Sequence, residues 1–301
     1  MTVAARGDVT DRFSPSIVAI TATGALYPLH RQNGHEIIYL EHGDGIMYVG
    51  GLARHLHAGD LVFVDRLSTH GFCFSPDSSA LLAGISCDLM PQFTEFVDEM
   101  NVSAFIIKHA LDDPEIYQAI GHLISHPTAF KTGIKLMSGF GLLLDSLSTR
   151  MTRAKHLPQR HCESMEDRFA RAAYIEVDEM NPSLDSIAQT VGISRTYASR
   201  SLKPVLGLSL ASYTAVTRVN AARRLLVQTD RPVGEIALMC RYSSIRTFNR
   251  QFADVAGMTA LAYRKAYSNS QTIGYDLPRY RSELEMFFSR LADASPEIPI
   301  D

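Results

Sequence analysis

The apolar residues of the first part of the chain follow a strand-like pattern. From Ser16 to about Asp88, short runs such as HEIIYL, DLVFVD and ALLAGISC are separated by Asn-Gly, Gly-Asp and Ser-Pro pairs. Runs of this length, rich in β-branched and aromatic residues and bounded by turn residues, are typical of short β-strands. Their close spacing predicts a small β-barrel or sandwich over residues 1–90.

Apolar residues recur at helical spacing after Pro91. The segment from about Thr132 to Thr152 carries two neighbouring apolar stripes, which together make a face wider than one packing partner requires. In one interpretation the whole face packs on the barrel; in the other, one stripe packs and the second contacts another subunit. The candidate dimer contacts on this face are Leu136, Phe140, Leu143, Leu144 and Leu147.

Residues 184–265 contain one pattern twice. In the first copy an arginine, a glycine and a tyrosine are separated by 7 and then 6 residues, and the second copy repeats both spacings. The matched residues are Arg200, Gly207 and Tyr213 in the first copy and Arg250, Gly257 and Tyr263 in the second. A repeat of this length indicates one supersecondary unit used twice.

Each copy has the pattern of a helix-turn-helix. In the first copy an amphipathic helix ends at Val191, Gly192 supplies a left-handed turn, and Ser194 is placed to cap the next helix. That next helix projects short polar and basic side chains, which suit the major groove of DNA. Pro204 should end it early, because proline cannot continue the backbone hydrogen-bond ladder.

These motifs resemble the tandem helix-turn-helix DNA-binding domain of the AraC/XylS transcription regulators. The helix between the motifs carries the family's R-x-x-x-A-x-x-L-L arrangement at 218–226. The family's closing signature, Gly-x-Thr-Pro-x-x-Tyr-Arg, lies at 257–264, with Ala260 in place of proline. In the second motif Arg241 and Tyr242 stand where Gly-Phe is usual. The resemblance implies a long linker helix between two DNA-reading motifs.

The resemblance also implies which residues contact DNA. The candidates are Arg195, Thr196, Ser199, Arg200 and Lys203 in the first motif and Ile245, Arg246, Asn249 and Arg250 in the second. Arg200 and Arg250 suit either a phosphate or a guanine. Arg246 and Asn249 have paired hydrogen-bonding groups that suit base edges, so base discrimination is expected to depend more on the second motif.

Charge is distributed unevenly along the chain. The sequence has 29 Lys and Arg against 32 Asp and Glu, but residues 184–265 hold 12 of the former and 4 of the latter. This segment therefore has a net charge of +8, and the remainder has a net charge of −11. A basic block beside an acidic one indicates a polyanionic partner for the basic block alone, here double-stranded DNA.

The first domain resembles the cupin-like effector domain of many AraC/XylS members. Glu36 and Gly43 keep the spacing of the first cupin motif, and Gly59 and His70 match the ends of the second. The candidate effector-binding residues are His30, His35, Glu36 and His70. Three alternatives are open for them: a metal site, a polar rim around an apolar effector pocket, or ordinary barrel histidines.

We favour the effector pocket among these alternatives. The cupin metal motif needs a His-x-His pair, and Pro28 occupies the place of the histidine before His30. We therefore assign no metal and no cofactor, and a metal-dependent cupin enzyme is the weaker alternative function. A regulator whose first domain binds a protein partner is another alternative.

Cysteine usage and hydropathy indicate a compartment. The four cysteines, Cys73, Cys87, Cys162 and Cys240, show neither disulfide nor metal-type spacing, as in a reduced cytoplasmic protein. The N-terminus is polar, without an apolar signal core, and no apolar run approaches the length of a membrane span. A cytoplasmic protein that does not enter a membrane is expected.

The sequence thus predicts an α+β multidomain protein, with an N-terminal cupin-like β-barrel and a C-terminal all-α domain. The predicted parts are a barrel at 1–90, a helical dimerisation segment at 91–152, a linker at 153–167, a DNA-binding domain at 168–267 and a tail at 268–301. The expected function is a sequence-specific transcription activator that contacts RNA polymerase and responds to a small-molecule effector. The family resemblance also favours a homodimer formed through the helix at 132–152. A helix is expected from about Ser282 to Ala292, with no function suggested for it.

Overall fold

The computed structural model describes residues 17–32, 34–66, 68–124, 133–154, 165–178, 182–267 and 272–295. Most of the predicted linker at 153–167 lies outside these residues, as does Cys162.

The strands of the described residues form two sheets that face each other. They are β1 Ile17–Thr23, β2 Leu26–His30, β3 Gly34–His42, β4 Asp44–Val49, β5 Leu52–His57, β6 Leu61–Val64, β7 His70–Phe74, β8 Ser79–Ser86, β9 Ala104–Ile107 and β10 Thr272–Gly274. A six-stranded sheet has the order β10-β1-β8-β3-β6-β9, and a four-stranded sheet has the order β2-β7-β4-β5. We refer to β1–β9 as the barrel. The sheet-rich N-terminal domain predicted from the sequence is confirmed.

The helices of the described residues are α1 Pro91–Met100, α2 Pro114–Ile124, α3 Gly133–Arg153, α4 Met165–Asp178, α5 Leu184–Val191, α6 Arg195–Leu206, α7 Leu210–Gln228, α8 Val233–Met239, α9 Ile245–Ala256, α10 Ala260–Tyr267 and α11 Arg281–Ala294. Among these helices, α1 lies between β8 and β9 in sequence and the others follow β9; α1–α3 pack on the barrel. The predicted all-α C-terminal domain is therefore present over α4–α10.

The six-stranded sheet is buried on both of its faces. Side chains alternate along a strand, so neighbouring residues of β3 enter different cores. Ile37 and Tyr39 pack with α1–α3, whereas Ile38 and Leu40 join the apolar cluster that fills the barrel. The apolar cluster that fills the barrel continues into the C-terminal domain, where it includes Tyr213 on α7. The barrel and the DNA-binding domain consequently share apolar packing.

Helix α3 differs from the prediction that one of its stripes is free for a second subunit. All five candidate dimer contacts are buried within the chain itself and belong to the core between α1–α3 and the sheet: Leu136, Phe140, Leu143, Leu144 and Leu147. The wide apolar face has two partners in the same chain, because α3 packs on α2 as well as on the sheet. The large apolar residues that α3 exposes are Ile134 and Leu142.

The tail returns to the barrel. Strand β10 pairs in parallel with β1, where Thr21 lies opposite Thr272, and extends the six-stranded sheet. Helix α11 then lies on β4, β5 and β7 of the four-stranded sheet. The tail helix expected at 282–292 is present at 281–294. The C-terminal segment thus packs with the N-terminal domain and covers one of its sheets.

Candidate nucleic-acid interface and barrel site

The first helix-turn-helix consists of α5 and α6. Helix α5 ends at Gly192, whose φ of 78° is left-handed and favours glycine. The amide of Ile193 donates to the carbonyl of Ala188 at 2.9 Å and closes the turn. The hydroxyl of Ser194 accepts from the amide of Tyr197 at 3.2 Å and caps α6. The predicted turn and cap are both present.

The second motif repeats this geometry with a different turn residue. Arg241 takes the left-handed position with a φ of 66°, and the amide of Tyr242 donates to the carbonyl of Ala237 at 2.9 Å. The hydroxyl of Ser244 accepts from the amide of Thr247 at 3.2 Å and caps α9. The two copies in the sequence are therefore two copies of one local fold.

Each recognition helix buries one face and exposes the other. The buried faces carry Ala198, Leu202 and Leu206 on α6 and Phe248 and Phe252 on α9. The nine candidate DNA-contacting residues are all exposed: Arg195, Thr196, Ser199, Arg200, Lys203, Ile245, Arg246, Asn249 and Arg250. The structure therefore places every candidate on a solvent-facing surface.

Pro204 does not end α6 early, contrary to the sequence prediction. The helix runs from Arg195 to Leu206 and has 12 residues, the same length as α9. A proline removes one backbone donor, and here that donor lies in the last turn of the helix. The end of α6 is held by the amide of Gly207, which donates to the carbonyl of Lys203 at 2.9 Å.

Ion pairs distinguish the cations of this surface. Arg195 pairs with Asp185 at 2.9 Å, and Lys203 Nζ lies 2.5 Å from Glu283 Oε1 on α11. Among the described residues, Arg200, Arg246 and Arg250 have no ion-pair partner. Their guanidinium groups are available to phosphate or base oxygens, with which arginine forms bidentate hydrogen bonds.

The two repeated tyrosines anchor the motifs from behind. The hydroxyl of Tyr213 donates to the carbonyl of Leu29 in the barrel at 2.8 Å. The hydroxyl of Tyr263 donates to the carbonyl of Gly274 in the tail at 2.9 Å. Matched positions of the repeat therefore attach the first motif to the barrel and the second motif to the tail. The sequence marked both tyrosines but did not show what they contact.

Arg223 on α7 is a residue that the sequence prediction missed. Its side chain is 1% exposed and donates to Asn220 Oδ1 at 3.0 Å and to the carbonyl of Asp276 at 2.7 Å. Burial lowers the pKa of Arg223, and the ring of Tyr263 lies 5.6 Å from its guanidinium carbon. Leu226, three residues further along α7, is buried, and residues three apart lie on the same face of a helix. This spacing was the signal in the sequence that could have predicted a buried Arg223.

Three of the four candidate effector residues meet inside the barrel. His70 Nε2 lies 2.8 Å from Glu36 Oε2, and the rings of His30 and His70 are 4.2 Å apart. One ligand atom from each of His30, Glu36 and His70 lies within 4.8 Å of the others, a spacing that could hold a metal ion. The fourth candidate, His35, does not join them.

His35 lies on the opposite face of β3, because it is adjacent to Glu36 and neighbouring strand residues alternate. Its Nε2 lies 3.1 Å from the Thr94 hydroxyl on α1, and its Nδ1 lies 3.5 Å from Asp65. The prediction that all four side chains share one site therefore fails for His35, which belongs to the packing between the sheet and α1.

The barrel cluster is desolvated and lies at the junction with the DNA-binding domain. Burial, together with the neighbouring His70, lowers the pKa of His30 well below its ordinary value. The charge of Arg224 on α7 lowers it further. The residue before His30 is Leu29, whose carbonyl receives the Tyr213 hydroxyl. A ligand at this cluster would thus lie close to the linker helix α7.

Comparison with known proteins identifies both domains. Residues 187–266 match the model of a helix-turn-helix domain, and residues 14–140 match that of the AraC-like ligand-binding domain. The chain belongs to the AraC family of transcription regulators. It is 26% identical over 243 residues to the HTH-type transcriptional activators RhaS of Salmonella agona and Salmonella typhimurium, a match that covers 76% of this chain and 84% of each relative.

A solved structure from another protein has the same fold. An apo form of ToxT from Vibrio cholerae matches 87% of this chain and 100% of its own with a TM-score of 0.50 and 10% identity. The RhaS relatives are transcriptional activators, so they do not support the alternative of a cupin enzyme. Among the described helices, none combines the length and the apolar composition that a membrane span requires.

Proposed function

We propose that this AraC-family regulator binds double-stranded DNA through both recognition helices. In this proposal α6 and α9 enter successive major grooves on one face of the duplex, roughly 34 Å apart. The observation that carries the proposal is the pair of capped, equally long helices with nine exposed candidate contacts. Arg200, Arg246 and Arg250, which form no ion pair within the described part of the chain, are the main anchors.

Binding of the full-length chain to duplex DNA tests this proposal. The duplex is one selected from random sequences by the full-length protein. We expect the protein to retard this duplex in a gel, and the affinity to fall steeply with added salt, because binding to phosphates releases counterions. Arg250→Ala should weaken binding, whereas Arg153→Ala, which removes an exposed arginine from α3, should leave it unchanged. Equal losses in both variants would show that net charge, and not the recognition helix, is responsible.

We further propose that the protein is a cytoplasmic activator that contacts RNA polymerase. The support for an activator is the similarity to the RhaS relatives, which are transcriptional activators. Transcription in vitro from a promoter that contains the selected site provides the test. Activation requires more transcript with the protein than without it, and a decrease would identify a repressor.

The effector is proposed to bind at His30, Glu36 and His70. The support is that these three side chains are held together in the barrel beside the linker helix. Thermal melting of the full-length protein with single metabolites, and with zinc chloride alone, tests the proposal, since a ligand raises the melting temperature by mass action. A shift that is absent in Glu36→Gln locates the ligand at this site.

A protein partner for the barrel and a homodimer are the remaining parts of the proposal. If no small molecule or ion shifts the melting curve, a protein partner becomes the preferred alternative.

For a homodimer, the exposed apolar residues Tyr117, Ile134 and Leu142 of α2 and α3 are the contacts that the structure leaves available. Sedimentation of the full chain with and without Ile134→Glu tests this contact, and an unchanged dimer would exclude it.

A further inference from the structure

The tail contacts the C-terminal ends of both recognition helices. On α6, Glu283 pairs with Lys203 at 2.5 Å, and Arg290 Nη2 donates to the carbonyl of Pro204 at 2.9 Å. At the end of α9, Arg279 pairs with Asp254. The tail residues that make these contacts, Arg279, Glu283 and Arg290, lie outside the segment 187–266 that matches the helix-turn-helix domain. The tail is thus an addition to the DNA-binding domain.

Apolar packing fixes α11 against the end of α6. Gly207 ends α6 with a φ of 76°, and a Cβ added there would lie 2.8 Å from the ring of Phe287. Leu284 and Phe288 of α11 are also fully buried, in the cluster that the barrel and the DNA-binding domain share. The position of α11 beside the first recognition helix is therefore set by close contact, and it places Glu283 next to Lys203.

The other side of the tail is attached to the barrel. The guanidinium of Arg281 donates to the carbonyls of Phe74 at 3.0 Å and Gly24 at 2.8 Å. At the far end of α11, the amide of Ala53 donates to the hydroxyl of Ser295 at 2.8 Å. Helix α11 consequently lies between the four-stranded sheet and the first recognition helix and contacts both.

We propose that the tail is an autoinhibitory latch, in which Glu283 holds Lys203 and competes with a DNA phosphate for it. Lys203 lies on the exposed face of α6 that carries the candidate DNA contacts, so the same ammonium group serves both partners. A carboxylate close to that face also repels the DNA backbone. The latch rests on the proposed DNA binding, and it weakens the first motif until α11 or its ion pair shifts.

The expected effect of opening the ion pair is modest. Both side chains are partly exposed, 63% for Lys203 and 36% for Glu283, and ion pairs of this kind are weak. Glu283→Gln should therefore tighten DNA binding about two- to five-fold at low salt. The contribution should fall as salt screens the pair.

The matched control lies on the same helix. Asp293 is exposed on α11 and, among the described residues, forms no ion pair with α6, so Asp293→Asn removes the same charge without touching Lys203. DNA affinity of the full-length variants is measured by fluorescence anisotropy on the selected duplex. Tighter binding by Glu283→Gln but not by Asp293→Asn supports the latch. Equal tightening by both, or none by Glu283→Gln, would overturn it.

A double-mutant cycle separates the ion pair from other effects of the substitution. In a Lys203→Gln background the competition is absent and only the repulsion of the DNA backbone remains, so Glu283→Gln should tighten DNA binding clearly less than it does in the wild-type background. An undiminished gain in that background would show that Glu283 acts without Lys203 and would contradict the proposal. Failure of the wild-type chain to bind any duplex would instead refute the proposed DNA binding itself.

Discussion

Arg241 occupies a backbone conformation that favours glycine. Its φ of 66° is matched by the 78° of Gly192 at the equivalent position of the first motif. A residue with a Cβ in this left-handed region costs about 1–2 kcal/mol relative to glycine. Glycine offsets part of this advantage, because it loses more conformational entropy on folding than other residues. The second motif thus carries backbone strain that the first motif avoids.

Arg241→Gly is expected to stabilise the protein by about 0.5–1 kcal/mol. Arg241→Ala is the control, because alanine keeps the Cβ that opposes the left-handed conformation. Chemical denaturation of both variants measures the free energy of unfolding. A gain in the alanine variant equal to that in the glycine variant would assign the effect to the lost side chain and not to the backbone.

Arg223 satisfies buried acceptors on two segments of the C-terminal part. Arg223→Ala leaves the Asn220 side chain and the Asp276 carbonyl without this donor, and each unsatisfied buried group costs about 1–3 kcal/mol. We expect a loss of about 2–4 kcal/mol in unfolding free energy. Lys265→Ala, at an exposed position of α10, should change the unfolding free energy little. A similar small change in Arg223→Ala would show that these hydrogen bonds are dispensable.

The sequence predicted which recognition-helix side chains are exposed better than it predicted which polar side chains are buried and what they contact. The exposed candidates of both recognition helices follow from helical spacing, because the same period places one face outward. The split between His35 and Glu36 also follows from strand alternation, but the strand had to be located first. Arg223 was missed because a charged side chain is normally assigned to the surface.

At the scale of elements, α3 has more partners than its sequence shows. Apolar width indicates how much of a helix is buried but not whether the partner is in the same chain. Here the wide apolar face of α3 packs on α2 and on the six-stranded sheet of the same chain. Dimer contacts predicted from that width were therefore core residues.

Leu144→Glu is expected to destabilise the chain by at least about 3 kcal/mol, because it buries a carboxylate and loses apolar packing. Ile134→Glu is the matched control, since Ile134 is 83% exposed on the same helix. Thermal melting of the two variants gives the comparison. A folded, stable Leu144→Glu monomer would instead restore the subunit-contact interpretation.

The two recognition helices differ in their exposed side chains and not in length. Both have 12 residues, so the sequence argument that Pro204 shortens the first one does not hold. What separates them is chemistry: α6 offers Thr196 and Ser199 as readers, whereas α9 offers Arg246 and Asn249. Long or paired hydrogen-bonding groups discriminate bases better than short hydroxyls.

Base discrimination is therefore still predicted to depend more on α9. Arg246→Ala and Asn249→Ala should each relax base preference at particular positions by about 1–3 kcal/mol. Arg200→Ala should weaken binding to all sites alike, with a shallower dependence on salt. Affinities for a panel of single-base variants of the selected duplex measure both effects. Lost preference in Arg200→Ala with unchanged preference in Asn249→Ala would reverse the assignment.

At the scale of the whole molecule, the barrel, the linker helix and the tail form one connected structure. Tyr213 attaches α7 to Leu29 of the barrel, and β10 adds the tail to the barrel sheet. The family resemblance predicted both domains, since each has its own motif. It did not predict this connection, because it depends on contacts between distant parts of the chain and on a tail outside the family pattern.

The central claim is that two recognition helices read neighbouring major grooves. Selection of the full-length protein on random duplexes, followed by sequencing of the bound fraction, tests it most directly. The account predicts two blocks of preferred bases whose centres lie about 10–10.5 base pairs apart, with base preference relaxed at particular positions of the block read by α9 in Asn249→Ala. No enrichment, or one block that both Arg200→Ala and Arg250→Ala weaken equally, would contradict the account.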